Sequence, residues 1–181
     1  MKRAPSNLLR PKRPAPAIDR IDAQILAALQ NNGRLSNKQL AALVALSPSS
    51  CLMRVRRLQQ SGALKGVHAE IEPAVFGIGL QAMLAVRLRR HARTMVRGFR
   101  AHVLALPEVV AAYNVAGSED FLVHVVVRDT EHLYDLELDA FAGRHEVDRI
   151  QSMLIFDAVR RPVLPDLRPP PPSARPPRRR R

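Results

Sequence analysis

Cysteine occurs once in the 181 residues, at Cys51, which excludes an internal disulfide and any zinc site built on cysteines. Six histidines are present (His68, His91, His102, His124, His132 and His145). None stands at H-x-H or H-x-x-x-H spacing, so no adjacent pair of metal ligands is offered. No apolar run approaches the ~20 residues that cross a bilayer, and the N-terminus lacks the hydrophobic stretch of an export signal. A cytoplasmic protein is the expectation. Phosphate-cradling glycine loops, a nucleophile elbow and a catalytic triad order are all missing, so the expectation is a protein that is not an enzyme and has no cofactor.

Acid is also scarce: 16 Asp and Glu stand against 29 Lys and Arg, a formal charge of +13. Its distribution says more than its total. Residues 1–17 carry Lys2, Arg3, Arg10, Lys12 and Arg13 with no acid, for +5. Residues 161–181 carry seven arginines against Asp166, for +6. Between them, residues 18–66 hold +5 and residues 67–160 hold −3. Charge segregated in this way marks one segment of the folded region for a polyanion, and the other for something else.

The basic segment contains two short helices in tandem. Ser36 caps the first, with Gln39 three residues on to complete a capping box; Leu40, Leu43 and Val44 follow at helical spacing. Ala45-Leu46 make a turn. Ser47 caps the second helix and Pro48 takes its first position, where a missing N–H costs nothing. Cys51, Val55 and Leu58 form a buried stripe, which makes Cys51 a packing residue before a reactive thiol. Ser49, Met53, Arg56 and Arg57 lie opposite that stripe, Ser50 and Arg54 flank it, and Gly62 supplies a left-handed end. An ordinary amphipathic pair would show the stripe alone. The basic, hydroxyl-rich outer face fits a DNA major groove, with hydroxyls and the helix N-terminus on phosphate and Arg on guanine edges. A preceding helix, capped by Asp19 and striped by Ile21, Ile25, Leu26 and Leu29, ends at Asn31-Asn32-Gly33 and closes a three-helix core. Residues 64–72 read as a short strand or wing that Pro73 ends.

The second half changes period. Leu80 to Leu88 alternates as a half-buried strand. Thr94–Ala105 is predicted helical through Val96, Phe99 and Val103. Val109–Val115 and Phe121–Val127 are strands around an AGSED loop. Glu131–Phe141 is predicted helical with Tyr134, Leu138 and Phe141 on one stripe, and Val147–Phe156 is a last strand. The fold class is therefore α+β: a winged helix-turn-helix over 18–67, a linker or strand over 68–79, and a ferredoxin-like β-α-β-β-α-β domain over 80–160. One face of that sheet lacks helices, and a second subunit is the simplest cover. The tails 1–17 and 161–181 read as disordered; the Pro/Arg-rich second tail is either simply solvated or drawn to phosphate by counterion release. No amphipathic helix accompanies it, so no membrane partner is expected.

Taken together, IDRIDAQILAALQNNGRLSNKQLA, LSPSSCLMRVRRLQQSGALKG, AEIEPAVFGIG and VAGSEDFLVHVVV resemble the leucine-responsive regulator/AsnC (Lrp/AsnC) family of transcription factors over residues 18–160. The resemblance implies a nucleoid-associated, sequence-specific regulator that binds double-stranded DNA as a homodimer, tetramer or octamer, with an amino acid or related metabolite held between subunits. Carried over by position, the DNA-facing set is Ser47, Ser49, Ser50, Met53, Arg54, Arg56 and Arg57, with Arg56 on phosphate. The effector set is Gly117, Ser118, Glu119, Asp120 and Ser152. In this reading Asp120 accepts from an ammonium and Gly117 allows close backbone approach. Read from the residues alone, the same loop is better taken as an ordinary hairpin turn with solvated acids, since turns are rich in these residue types. Met53 stands where relatives often carry a charge, and Ile150 where they often carry Thr. Two alternatives share these features: a sirohaem-decarboxylase-like enzyme on the same fold, and an architectural protein that binds DNA with little sequence choice.

Overall fold

A computed structural model of the chain describes residues 16–90, 92–159 and 163–169. Most of tail 1–17, His91, and residues 161–162 and 170–181 of the other tail lie outside the described residues. The chain divides into two compact units. One joins residues 1–69 to 160–181, and the other is residues 70–159.

In the first unit, α1 (Arg20–Asn31), α2 (Asn37–Leu43) and α3 (Pro48–Gln60) enclose a small core of Ile25, Leu40, Ala41, Val44, Cys51 and Leu58. Capping agrees with the sequence: Asp19 and Asp22 form one reciprocal box, Ser36 and Gln39 a second, and Ser47 caps α3 with Pro48 at its first position. Between α2 and α3 the turn is a Schellman closure. The Leu46 N–H donates to Ala41 O at 2.9 Å and the Ala45 N–H to Ala42 O at 3.3 Å. Ala45 therefore sits at φ 53°, the left-handed region that glycine enters without strain. Leu43 departs from its expected stripe and is exposed, whereas Ala41 is buried. Only seven residues long, α2 buries Leu40 and Ala41, its C-cap Val44 is buried beside them, and Leu43 falls on the flank of that face. Gly62, at φ 77°, ends α3 as expected. Residues 64–72, expected as a strand or wing, contain neither helix nor strand, and a 3-10 turn at Pro73–Phe76 comes after them.

The second unit is a four-stranded antiparallel sheet in the order β2-β3-β1-β4. Its strands are β1 (Leu80–Leu88), β2 (Val109–Asn114), β3 (Phe121–Val127) and β4 (Val147–Leu154). On one face, Ala82, Leu84, Val86, Leu88 and Phe121, Val123, Val125, Val127 meet α4 (Arg93–Val103) and α5 (Thr130–Glu137). Phe99 of α4 anchors this core, its ring centroid 4.9 Å from Phe121 and 6.1 Å from Phe141. The α5 stripe differs from the expected one. Leu133, Leu136, Ala140 and Phe141 are buried, while Tyr134 and Leu138 are exposed. A π-turn at Leu138–Ala142 inserts extra backbone and resets the phase of the stripe. His102 of α4 donates from Nε2 to the Ala140 carbonyl in that turn, at 2.7 Å. At the start of β1, Gly79 donates to Val127 O, and a Cβ there would lie 2.3 Å from Arg128 O, so no larger residue fits.

The opposite sheet face carries no helix of this unit. Met153, Met83, His124 and Ala111 form one cross-strand row on it, and Gln151, Ala85, Leu122 and Tyr113 the next.

Candidate nucleic-acid interface and effector loop

The N-terminus of α3 concentrates hydroxyls. Ser47 accepts the Ser50 N–H at 3.3 Å, its Oγ donates to Ser50 Oγ at 2.9 Å, and it lies 3.1 Å from Ser49 Oγ. All three serines are exposed. Asn37 at the start of α2 donates to Pro48 O at 2.8 Å and fixes the start of α3 against its neighbour. Three adjacent hydroxyls at a positive helix terminus form a polar surface matched to a phosphate oxygen. Met53 and Arg56 extend this exposed face, and Arg56 makes no ion pair among the described residues.

The other two arginines are committed elsewhere. Arg54 Nη1 donates to Asp19 Oδ2 at 2.6 Å and to Asp22 Oδ1 at 2.9 Å, and Arg57 Nη2 donates to Asp22 Oδ2. The Asp22 side chain has no exposure at all, and Arg54 is 26% exposed. Hence Arg54, expected at a guanine edge, instead clamps α3 to the start of α1. The Arg54 guanidinium holds the Asp19 carboxyl below the usual carboxylate range, and Asp19 raises Arg54 in return. Arg57, 57% exposed, keeps a free edge toward solvent.

Asp22 was missed as a structural residue, although a signal existed. It comes four residues after Ile18 and three before Ile25, an acid inside an apolar stripe, and an acid in that place needs a buried cation.

The loop 116–120 joins β2 to β3. Gly117 there has φ 148° and Ser118 is exposed. The Glu119 carboxylate accepts from Arg149 of β4, while its second oxygen, Oε2, is buried without a hydrogen bond. Asp120, expected to meet an ammonium, is 2% exposed and accepts the Leu88 N–H at 2.8 Å. Its own backbone oxygen accepts from Asn114 Nδ2 and Val115 N–H. Asp120 thus ties the ends of β1 and β3. Ser152 pairs with Leu84 on the helix-covered face and donates to Glu137 of α5, whereas Arg149 pairs with Arg87 on the open face. The four loop residues come together; Ser152 faces away from Arg149, the β4 residue that meets them. Among the described residues no helix is long and apolar enough to cross a membrane, and no group of three His, Cys, Asp or Glu could hold a metal.

Two family models match the chain: an AsnC-type helix-turn-helix domain over residues 18–59 and an Lrp/AsnC ligand binding domain over residues 81–164. An HTH-type transcriptional regulator AldR of Mycolicibacterium smegmatis is 42% identical over 143 residues, spanning 79% of this chain and 84% of that protein. A transcriptional regulator of Neisseria meningitidis, crystallised as its L-Met complex, superposes with TM-score 0.73 at 33% identity, covering 80% of this chain and 94% of that one. The AldR crystal structure from Mycobacterium tuberculosis gives TM-score 0.67 at 32% identity over 82% of this chain and all of that one. With a helix-turn-helix whose α3 has an exposed outer face, a ferredoxin-like domain later in the sequence, and relatives at this level over four-fifths of its length, the chain belongs to the Lrp/AsnC family of helix-turn-helix transcriptional regulators.

Proposed function

We propose that this protein is a sequence-specific regulator that reads duplex DNA with α3 and responds to an amino acid bound at its C-terminal domain. The observation that carries the reading is the exposed face of α3: three serine hydroxyls at its N-terminus, then Met53, Arg56 and the free edge of Arg57. Ser47, Ser49 and Ser50 meet phosphate, Arg56 meets phosphate, and Met53 offers an apolar contact to a thymine methyl. Arg54 acts one step back, as the residue that positions α3. Selecting bound fragments from a random-duplex pool tests this directly. Enrichment of a near-palindromic motif with half-sites about one helical turn apart, or a multiple of it, is expected. Recovery of a featureless pool would replace the regulator with an architectural DNA binder, and binding of a tetrapyrrole without DNA affinity would replace it with an enzyme.

The open sheet face is proposed as the homodimer contact. Met83, Met153, Leu122 and Tyr113 give it apolar bulk that a second copy would remove from water. For the effector, the unpartnered Glu119 Oε2 suits an ammonium, and exposed backbone around Gly117 suits a carboxylate. This moves the ammonium contact from Asp120 to Glu119. Calorimetric titration with a panel of L-amino acids, the methionine bound by the Neisseria relative among them, is expected to give one binder that Glu119→Gln weakens at least about tenfold. No heat from any member at 10-millimolar order would remove the sensing role.

A further inference from the structure

The net −3 of residues 67–160 conceals a second segregation of charge. Residues 87–103 carry six arginines and no acid, for +6, which leaves −9 on the rest of that stretch. Three of the six, Arg93, Arg97 and Arg100, lie on α4, and all three are exposed. At about 100° per residue they fall within a sector of about 60°, along about 10.5 Å of helix. Phe99 and Val103 of the same helix face the sheet. His102, on the side of the helix opposite Arg93, meets the π-turn that follows α5. The arginines therefore occupy the flank turned away from α5 and its acids. Among the described residues the arginine ion pairs fall on Arg54, Arg57, Arg89, Arg144, Arg149 and Arg168, and none falls on these three.

Nothing in the fold accounts for the stripe, and several of its features weaken the helix. Arg93 is the first residue of α4, where a cation opposes the positive end of the helix dipole. The N-cap residue, Ala92, supplies no side-chain hydrogen bond, and no acid stands in the first turn to offset that charge. Arg93 and Arg97 are like charges at i, i+4, and Arg97 and Arg100 at i, i+3, so both pairs repel. Gly98 sits mid-helix at a point where a Cβ would meet nothing within 4 Å. Alanine would fit there and is the better helix former. Unfavourable local choices gathered on one face, with no offsetting partner among the described residues, mark that face for a ligand.

The ligand that suits it is an extended anion. A line of guanidiniums about 10.5 Å long covers the axial rise of about three phosphates on one DNA strand, about 3.4 Å each. Arginine forks onto phosphate oxygens, and the small, exposed Gly98 and Ala101 beside the stripe let a phosphate backbone lie close to the helix. A protein partner would seek an apolar or aromatic anchor at the centre of its contact. Here the centre is arginine, glycine and alanine, and the exposed Leu104 lies beyond the last arginine. The dimer contact proposed above uses the opposite face of the sheet and leaves α4 uncovered.

We propose that the Arg93, Arg97 and Arg100 face of α4 is a second DNA-binding surface, which grips the phosphate backbone of duplex DNA in addition to the contacts made by α3. The inference rests on the DNA-binding reading above and extends it to the domain that the family model describes only as ligand binding. Contacts of this kind carry no sequence information; they lengthen the DNA engaged by each chain and steepen its salt dependence.

Fluorescence anisotropy of the full chain on a mixed-sequence duplex of about 60 bp, several helical turns, repeated across KCl concentrations, tests it. The triple variant Arg93→Gln/Arg97→Gln/Arg100→Gln is expected to lower the slope of log K against log salt by up to about 2.7, and to raise Kd at least about tenfold near 0.1 M salt. Arg93→Lys/Arg97→Lys/Arg100→Lys keeps the charges and is expected to stay within about threefold of the parent. Arg97→Gln alone should take about 0.9 off the slope, whereas Arg128→Gln, which removes an exposed charge after β3, should leave it unaltered. An unchanged slope in the glutamine triple overturns the proposal. Equal losses in the lysine and glutamine triples do so as well, as do equal losses from Arg97→Gln and Arg128→Gln, which would reduce the effect to net charge. Light scattering without DNA covers a different occupant. A fall in mass of the glutamine triple would give the stripe to a second copy of the chain, whose Glu131 and Asp135 stand exposed on α5, and would also overturn the DNA assignment. Failure of the intact chain to bind any duplex would instead remove the DNA-binding reading itself.

Discussion

Replacing Asp22 with alanine is the sharpest test of how the reading helix is held. The Asp22 carboxylate has no exposure and takes three donors: the Asp19 N–H, Arg54 and Arg57. Breaking a buried ion pair costs about 3–5 kcal/mol, because a charge is left without its partner in a poorly solvated place. Here the lower end applies. Arg54 keeps Asp19 as a partner at 2.6 Å, and Arg57, 57% exposed, can turn to water. About 3 kcal/mol corresponds to a roughly 150-fold rise in the open population of the helix-turn-helix unit. Cys51 reports on that unit alone, since it is the sole cysteine and is fully buried in the same core, and burial pushes its thiol up. Under conditions where opening pre-equilibrates, its reaction rate with a thiol reagent tracks the open population. Asp22→Ala should therefore label about 150-fold faster, Asp22→Asn much less, and the Asp22→Ala/Arg54→Ala double variant should cost less than the sum of its parts. A rise of under about fivefold for Asp22→Ala would show that the cluster does not hold α3, and the assignment of Arg54 as a positioning residue would fall with it.

Arg56→Ala should leave Cys51 labelling unchanged, weaken binding to every duplex alike, and reduce the salt slope by about 0.9, as loss of one phosphate contact requires; a loss confined to one sequence would make it a base contact. Ala45→Gly should slow Cys51 labelling by about fivefold, since roughly 1 kcal/mol of left-handed strain at φ 53° is relieved, and faster labelling would contradict that. Asp19 titrates below its usual range when folded, so its contribution is present above about pH 4 and fades as pH falls through the lowered value. Acid-induced Cys51 exposure should begin in that window, and Arg54→Gln should flatten the dependence; an unchanged acid profile in that variant would show Asp19 is not the group responsible. Met83→Lys, in the centre of the open sheet face, should lower the mass seen by light scattering to that of one chain while leaving the helix-side core intact. A persistent dimer would place the contact elsewhere.

Local chemistry was legible along the chain wherever a few neighbouring residues decide the outcome. Capping at Asp19, Ser36 and Ser47, Pro48 at the first position of α3, the left-handed end at Gly62, and the alternation of Leu80 to Leu88 depend on residues within about four positions of one another, and each took the form its spacing dictated. The strand and helix order that gives the ferredoxin-like domain comes from the same short-range periods, and so does the exposed, hydroxyl-rich side of α3.

Tertiary contacts decided the rest, because they join residues that no local pattern relates. Asp22 and Arg54 are 32 positions apart, and only the crossing of α1 over α3 turns a presumed base-reading arginine inward. Asp120 and Leu88 meet across two strands, which converts an acid in a loop into a buried strand tie. A π-turn moved the α5 stripe off Tyr134 and Leu138, and Leu164 and Arg168, in a stretch that reads as low-complexity arginine and proline, bond to Gln30 and Ile18, more than 130 residues earlier. Charge by itself can announce a partner; which charges remain free to meet it depends on the carboxylates that folding brings alongside.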